Sequence, residues 1–146
     1  MPDTPQYWTP AFIEVFVEAM NSDPDFMDTT GSFTNAIILR CLGGPDGQDI
    51  EAIYEFENGE VVNVEVWMDD APCAEMREEP FDKDAALARA TATYEVWQKL
   101  DQGEINVMQA LASPDYTVEG NKLKILSHLG IVNGMNEIAA RIEKTY

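Results

Sequence analysis

The side chains best suited to chemistry are few in this chain, and their spacing limits what they can do. The single histidine, His128, lies among Leu126, Leu129 and Ile131, which suits a helix surface or a satisfied buried imidazole better than a catalytic base. No serine stands in a G-x-S-x-G elbow, and neither Cys41 nor Cys73 has a histidine nearby in sequence. Nucleophilic catalysis therefore has little support. The two cysteines form no C-x-x-C pair, and one histidine cannot complete a zinc set, so no metal is expected. They read as reduced thiols of a cytoplasmic protein. Gly43-Gly44-Pro45-Asp46-Gly47 is rich in glycine but has no Lys-Ser/Thr after it, which makes it a hairpin turn rather than a phosphate cradle. Asp23, Asp25 and Asp28 approach a calcium loop but lack its glycine and its final glutamate. Asp69-Asp70 with Glu75, Glu78 and Glu79 reads as a solvated loop. None of these groups calls for a cofactor.

Charge narrows the function further. The 146 residues, 45% hydrophobic, suit one domain spanning 1–146 with a core of its own. Against 27 acidic residues stand only 9 basic ones, a net charge of −18. That balance excludes phosphate-backbone binding, so no nucleic acid is expected, and it disfavours anionic membrane surfaces. No apolar run approaches the ~18 residues of a membrane span, so stable membrane insertion is not expected. The start Met1-Pro2-Asp3-Thr4-Pro5 lacks the cationic and apolar regions of a signal peptide. The acidity is uneven: residues 1–80 hold 18 acidic groups and two cations, Arg40 and Arg77, against 9 and 7 in residues 81–146. Such asymmetry marks either a well-solvated surface or an interaction face.

The elements follow from local signals. Thr9-Pro10 starts a helix carrying Phe12, Ile13, Phe16, Val17 and Met20 on one face. Asp23-Pro24 caps a short second helix that reaches Gly31. Ile37-Ile38-Leu39 has strand character and precedes the 43–47 turn. Residues 85–92 are ambiguous: alanine favours helix, whereas the alternation of Ala86, Ala88, Ala90 and Ala92 allows a strand with a smooth face. Thr93 caps a helix with Val96, Trp97 and Leu100, ended by Gly103. A short helix through Ile105, Met108 and Leu111 precedes a strand at Tyr116-Thr117-Val118. One or two helices complete the chain.

The clearest pair of strands surrounds Asn58-Gly59. Ile50, Ala52, Tyr54 and Phe56 alternate with Glu51, Ile53, Glu55 and Glu57, and Val62, Val64, Val66 and Met68 alternate with Val61, Asn63, Glu65 and Trp67. A two-residue turn would place Phe56 opposite Val61 and mix the faces. The expectation is therefore a three-residue loop, Glu57-Asn58-Gly59, setting Tyr54 opposite Val62 and Ala52 opposite Val64. The other face, with Glu51, Glu55, Glu57 and Glu65, should be largely wet.

The apolar residues form a large adaptable set, and methionine suits a site for variable greasy ligands. Cores and pockets use the same residues, so composition alone leaves both open.

A further pattern runs through the second half. Thr93-Tyr94-Glu95-Val96-Trp97-Gln98-Lys99-Leu100, Gly103-Glu104-Ile105, Met108-Gln109-Ala110-Leu111 and Tyr116-Thr117-Val118-Glu119-Gly120-Asn121, followed by Leu123 and Leu126, resembles the sterol carrier protein type-2 family, in its small single-domain, prokaryotic-like form. The specific stretch covers about 93 to 126, and the earlier elements match the family's order generically. The resemblance implies an α/β fold of the α+β type: a five-stranded mixed sheet covered by helices, with an apolar tunnel between the layers. It favours a strand at 85–92. The connection 69–84 is longer than the family's, and Lys144-Thr145-Tyr146 is not a peroxisomal Ser-Lys-Leu address.

The resemblance implies non-catalytic binding or carriage of a lipid, fatty acyl chain or sterol-like molecule, and the sequence leaves a homodimer open. Phe12, Phe16, Met20, Tyr54, Phe56, Val64, Trp97, Met108, Leu126 and Met135 are the candidate lining residues. The alternative is an acidic interaction or oligomerisation module without a ligand. An enzyme using a buried carboxylate as base ranks third, because the hairpin pattern puts its glutamates away from the apolar face.

Overall fold

Thr9 and Asp23 each precede a proline, and each begins a helix. The Thr9 hydroxyl accepts the Phe12 amide at 3.3 Å and opens α1 (Pro10–Ser22). The Asp23 carboxylate accepts the Phe26 amide at 2.9 Å and opens α2 (Pro24–Thr30). The computed structural model describes residues 4–146, so the start Met1-Pro2-Asp3 lies outside the described residues. β1 (Asn35–Leu42), β2 (Gln48–Glu57) and β3 (Glu60–Asp70) follow, then α3 (Ala74–Glu78) and β4 (Ala88–Thr93). The chain continues with α4 (Tyr94–Asp101), α5 (Val107–Ala110), β5 (Tyr116–Gly120), α6 (Lys122–Ser127) and α7 (Leu129–Arg141).

The strands form one mixed sheet in the order β3-β2-β1-β4-β5, with β1 and β4 parallel and every other pair antiparallel. Residues 88–92 are strand despite their alanines. Ala88, Ala90 and Ala92 stand beside Ile37, Leu39 and Cys41 of β1, and burial of that small-residue face outweighs helix propensity.

The β2–β3 hairpin corrects the expected loop. Glu57 pairs with Glu60 across a two-residue turn, Asn58-Gly59, with φ of 50° and 81°, the geometry of a type I′ turn. Phe56 therefore faces Val61. The register then shifts, so that Glu55 pairs with Asn63, Tyr54 with Val64 and Ala52 with Val66. The extra residue that restores the alternation lies in the strand as a β-bulge at Val62, not in the loop. Asn21 holds that bulge from the side: its amide donates to the Val61 carbonyl and accepts the Val61 N–H, both at 2.9 Å.

The glutamate face is wet at Glu57 and Glu65, as expected, but not at Glu51. Residues 71–87 run across it and leave Glu51 only 5% exposed. Arg40 on β1 donates Nη2 to Glu51 at 2.6 Å, and both side chains are buried. The Asp49 carboxylate accepts the Gly43 and Cys73 amides and two bonds from Arg77. Arg89 donates to the Glu79 carbonyl at 2.9 Å and to Glu119. Met76 of α3 is completely buried in this second layer. The alternation did identify the polar face, but a polar strand face is also covered when each charge finds a partner.

Candidate functional site

The even-numbered face of β2 and the helices enclose an apolar seam. β2 contributes Tyr54 and Phe56, β1 contributes Ile37 and Leu39, and β4 adds its alanines. Phe12, Phe16 and Met20 recur at helical spacing on α1 and turn inward together. Phe16 meets Tyr54 edge-on at 5.6 Å and stacks on Phe12 at 5.7 Å. Trp97 of α4 packs against Trp8 at 5.3 Å and donates its indole N–H to the Arg40 carbonyl at 2.9 Å. Met135 and Ile138 of α7 close the layer.

Of the ten candidate lining residues, Phe12, Phe16, Met20, Tyr54, Phe56, Trp97 and Met135 are buried in this one cluster, and Val64 is half-buried against it. Met108 and Leu126 stand elsewhere, 64% and 61% exposed. The short helices explain both. In α5 it is Val107 and Ala110, three apart, that face inward, and in α6 it is Ile125 that packs on the core.

Sequence reasoning passed over Tyr7, Trp8, Ile13, Leu39 and Ala139, which border the seam's residual space. A usable signal existed: Trp8 just before the Thr9 cap and Ile13 four residues after it form the hydrophobic-staple pattern. That space is about 20 Å³, room for one water molecule and not for a ligand. The expected tunnel is closed here. The Trp8 indole N–H is buried beside this space and has no acceptor. Trp8 also holds φ at 59°, a conformation that large side chains avoid.

One end of the seam is sealed by residues 5–7 and 144–146. The Tyr7 amide donates to the Thr145 carbonyl at 2.7 Å, and the Thr145 amide to the Pro5 carbonyl at 3.0 Å. The Lys144 ammonium lies over the rings of Tyr7 and Phe12 at 5.3 and 5.6 Å. Burial, reinforced by the Asp101 charge, pushes the Tyr7 phenol well above its ordinary value. Burial, with a hydrogen bond to Asp101, raises the Tyr146 phenol to about 12. Both remain neutral, as an apolar seam requires.

No family model matches the chain, and no curated protein matches it. Solved structures do. A crystal structure of sterol carrier protein 2 superposes with a TM-score of 0.73 at 11% identity, over 94% of this chain and 99% of that one. A conserved hypothetical protein from Thermus thermophilus gives 0.69 at 11% identity, over 98% and 94%. The apo form of sterol carrier protein 2 from Yarrowia lipolytica gives 0.52 at 15% identity, over 90% of each chain. The chain has the sterol carrier protein 2 fold.

Proposed function

We propose that the protein binds a hydrophobic small molecule without chemistry, in the seam between the sheet and helices α1, α4 and α7, and carries it through the cytoplasm. The observation that carries this reading is the unpartnered Trp8 N–H beside a residual space that, Asn136 apart, is lined by aliphatic and aromatic side chains. A buried donor without an acceptor costs about 1–3 kcal/mol, and a ligand oxygen that reached this part of the seam would offset that cost. Burial of the ligand's apolar surface would add about 25 cal/mol per Å². Met20 and Met135, unbranched and adaptable, are suited to repack as the seam widens. The fold shared with sterol carrier domains supports the same reading. Two buried free thiols, Cys41 and Cys73, favour a reducing compartment, and no helix among the described residues is long and apolar enough to cross a membrane.

A non-catalytic role fits the buried carboxylates. Asp49 is engaged by Arg77, Glu51 by Arg40 and Asp101 by Lys144. None of these three is free to act as a base.

A second reading, an acidic interaction module without a ligand, is favoured by the same seam being closed to about 20 Å³. Native mass spectrometry of the gently purified protein separates the two. The carrier reading expects a discrete apolar adduct that organic solvent extracts, or stoichiometric uptake of a fluorescent fatty acid. Bare chain mass together with no uptake would overturn it in favour of the module.

A further inference from the structure

A wide concavity lies outside the seam. It is a groove of about 690 Å³ between the α2–β1 connection and the junction of α6 with α7. Its floor includes Phe33, Leu87 and Ile131, all members of the main core cluster. Its rim carries Lys124 and His128, and no aspartate or glutamate among the described residues lines it. In a chain with 27 acidic residues and 9 cations that absence is a local reversal of charge. Six cations are held in ion pairs: Arg40, Arg77, Arg89, Lys99, Arg141 and Lys144. Of the three others among the described residues, Lys122 and Lys124 stand together on α6, and Lys124 reaches this groove.

His128 is oriented rather than loose. Its ring lies 5.1 Å from that of Phe33, and Nδ1 is 2.8 Å from the Lys124 carbonyl. A carbonyl only accepts, so Nδ1 carries a proton, and Nε2 donates to an anion when the ring is an imidazolium. The first turn of α7 bears no acidic residue and has no side-chain cap, so no carboxylate there opposes an anion.

We propose that this groove binds the anionic head, a carboxylate or a phosphate monoester, of a single-chain amphiphile. Lys124 and His128 contact the charge, and the chain lies over Phe33, Leu87 and Ile131 towards the core. The inference rests on the carrier reading and adds to it a ligand class and an orientation.

Calorimetric titration with dodecanoate and with dodecanol, below their aggregation limits, tests it. Dodecanoate should bind about tenfold more tightly, and it should shift the imidazole NMR signals of His128, which is unique in the chain. The double variant Lys124→Gln/His128→Asn should bind both probes equally while keeping its affinity for dodecanol. Lys83→Gln, which removes an unpaired lysine outside the groove, should leave the preference intact. If both probes bind wild type equally, or the double variant keeps the preference, the head-group site is overturned and the carrier reading stands. If neither probe binds, both are overturned. To separate free anion from amphiphile head, inorganic phosphate is added as competitor. Displacement of dodecanoate by millimolar phosphate would show a site for free anions and overturn the amphiphile assignment.

Discussion

The Lys144 ammonium lies 2.7 Å from an Asp101 carboxylate oxygen, with the two side chains only 4% and 2% exposed. Lys144 also donates to the Ala139 carbonyl at 2.6 Å, and the Tyr146 hydroxyl donates to Asp101. The pair thereby fastens the last residues to α4 and α7 and holds them across the Tyr7 end of the seam.

Removing one partner should therefore cost far more than removing both. Lys144→Met leaves Asp101 charged and buried, and should lower unfolding free energy by about 3–5 kcal/mol. The double variant Lys144→Met/Asp101→Leu should recover most of that loss. Urea denaturation of the three proteins checks it. A single variant within ~1 kcal/mol of wild type would show that water reaches the pair.

Asp49 ties the connection 71–87 to the sheet, and its role depends on pH. Burial alone would raise its carboxyl, but the Arg77 bonds and the Cys73 and Gly43 amides outweigh burial and hold it below the usual 3.8. A depressed carboxyl contributes stability that is fully present above the unfolded-state value and is lost as pH falls through the folded one. Stability should thus decline below about pH 3.8. Asp49→Asn should cost about 2–3 kcal/mol at neutral pH and flatten that acid limb. Denaturation midpoints from pH 7 to 2.5 measure both effects.

Gly59 sits where the hairpin turn meets the end of α2. A Cβ there would meet the Gly31 carbonyl and lie 2.5 Å from the Thr30 hydroxyl, at φ of 81°. Gly103 also has positive φ, at 74°, but has open space around it. Gly103→Ala should cost only the left-handed strain, about 1–2 kcal/mol. Gly59→Ala should cost clearly more, and equal losses in thermal denaturation would contradict the close approach seen at the turn.

The hairpin shows how much of this fold was legible. Helix starts at Thr9, Asp23 and Thr93 could be read because a cap and the amide that donates to it lie within three residues. The parity of β3 was also legible: Val64 and Val66 do share the face of Tyr54 and Ala52. The place where the alternation is repaired was not, because Asn21, forty residues away, stabilises the bulge. The covering of Glu51 was hidden for the same reason. Its partner Arg40 lies on the next strand, and its roof is a loop whose own residues read as solvated. Among the site residues, helical spacing found Phe12, Phe16 and Met20, but in one-turn helices a single residue's phase decides burial, and Met108 and Leu126 fell outside.

The seam and the external groove can be tested separately through Ala139, a small residue of α7 that borders the residual space. Ala139→Phe would fill that space of about 20 Å³ and overpack the wall, at a cost of about 1–3 kcal/mol. If an apolar chain enters between α7 and the sheet, the variant should bind a fluorescent fatty acid at least tenfold more weakly. A tenfold change corresponds to about 1.4 kcal/mol of binding free energy. The wild-type head-group preference for dodecanoate over dodecanol should persist in whatever binding remains, because Lys124 and His128 are untouched. Unchanged affinity in a folded Ala139→Phe protein would place the chain outside the seam, along the groove floor of Phe33 and Leu87.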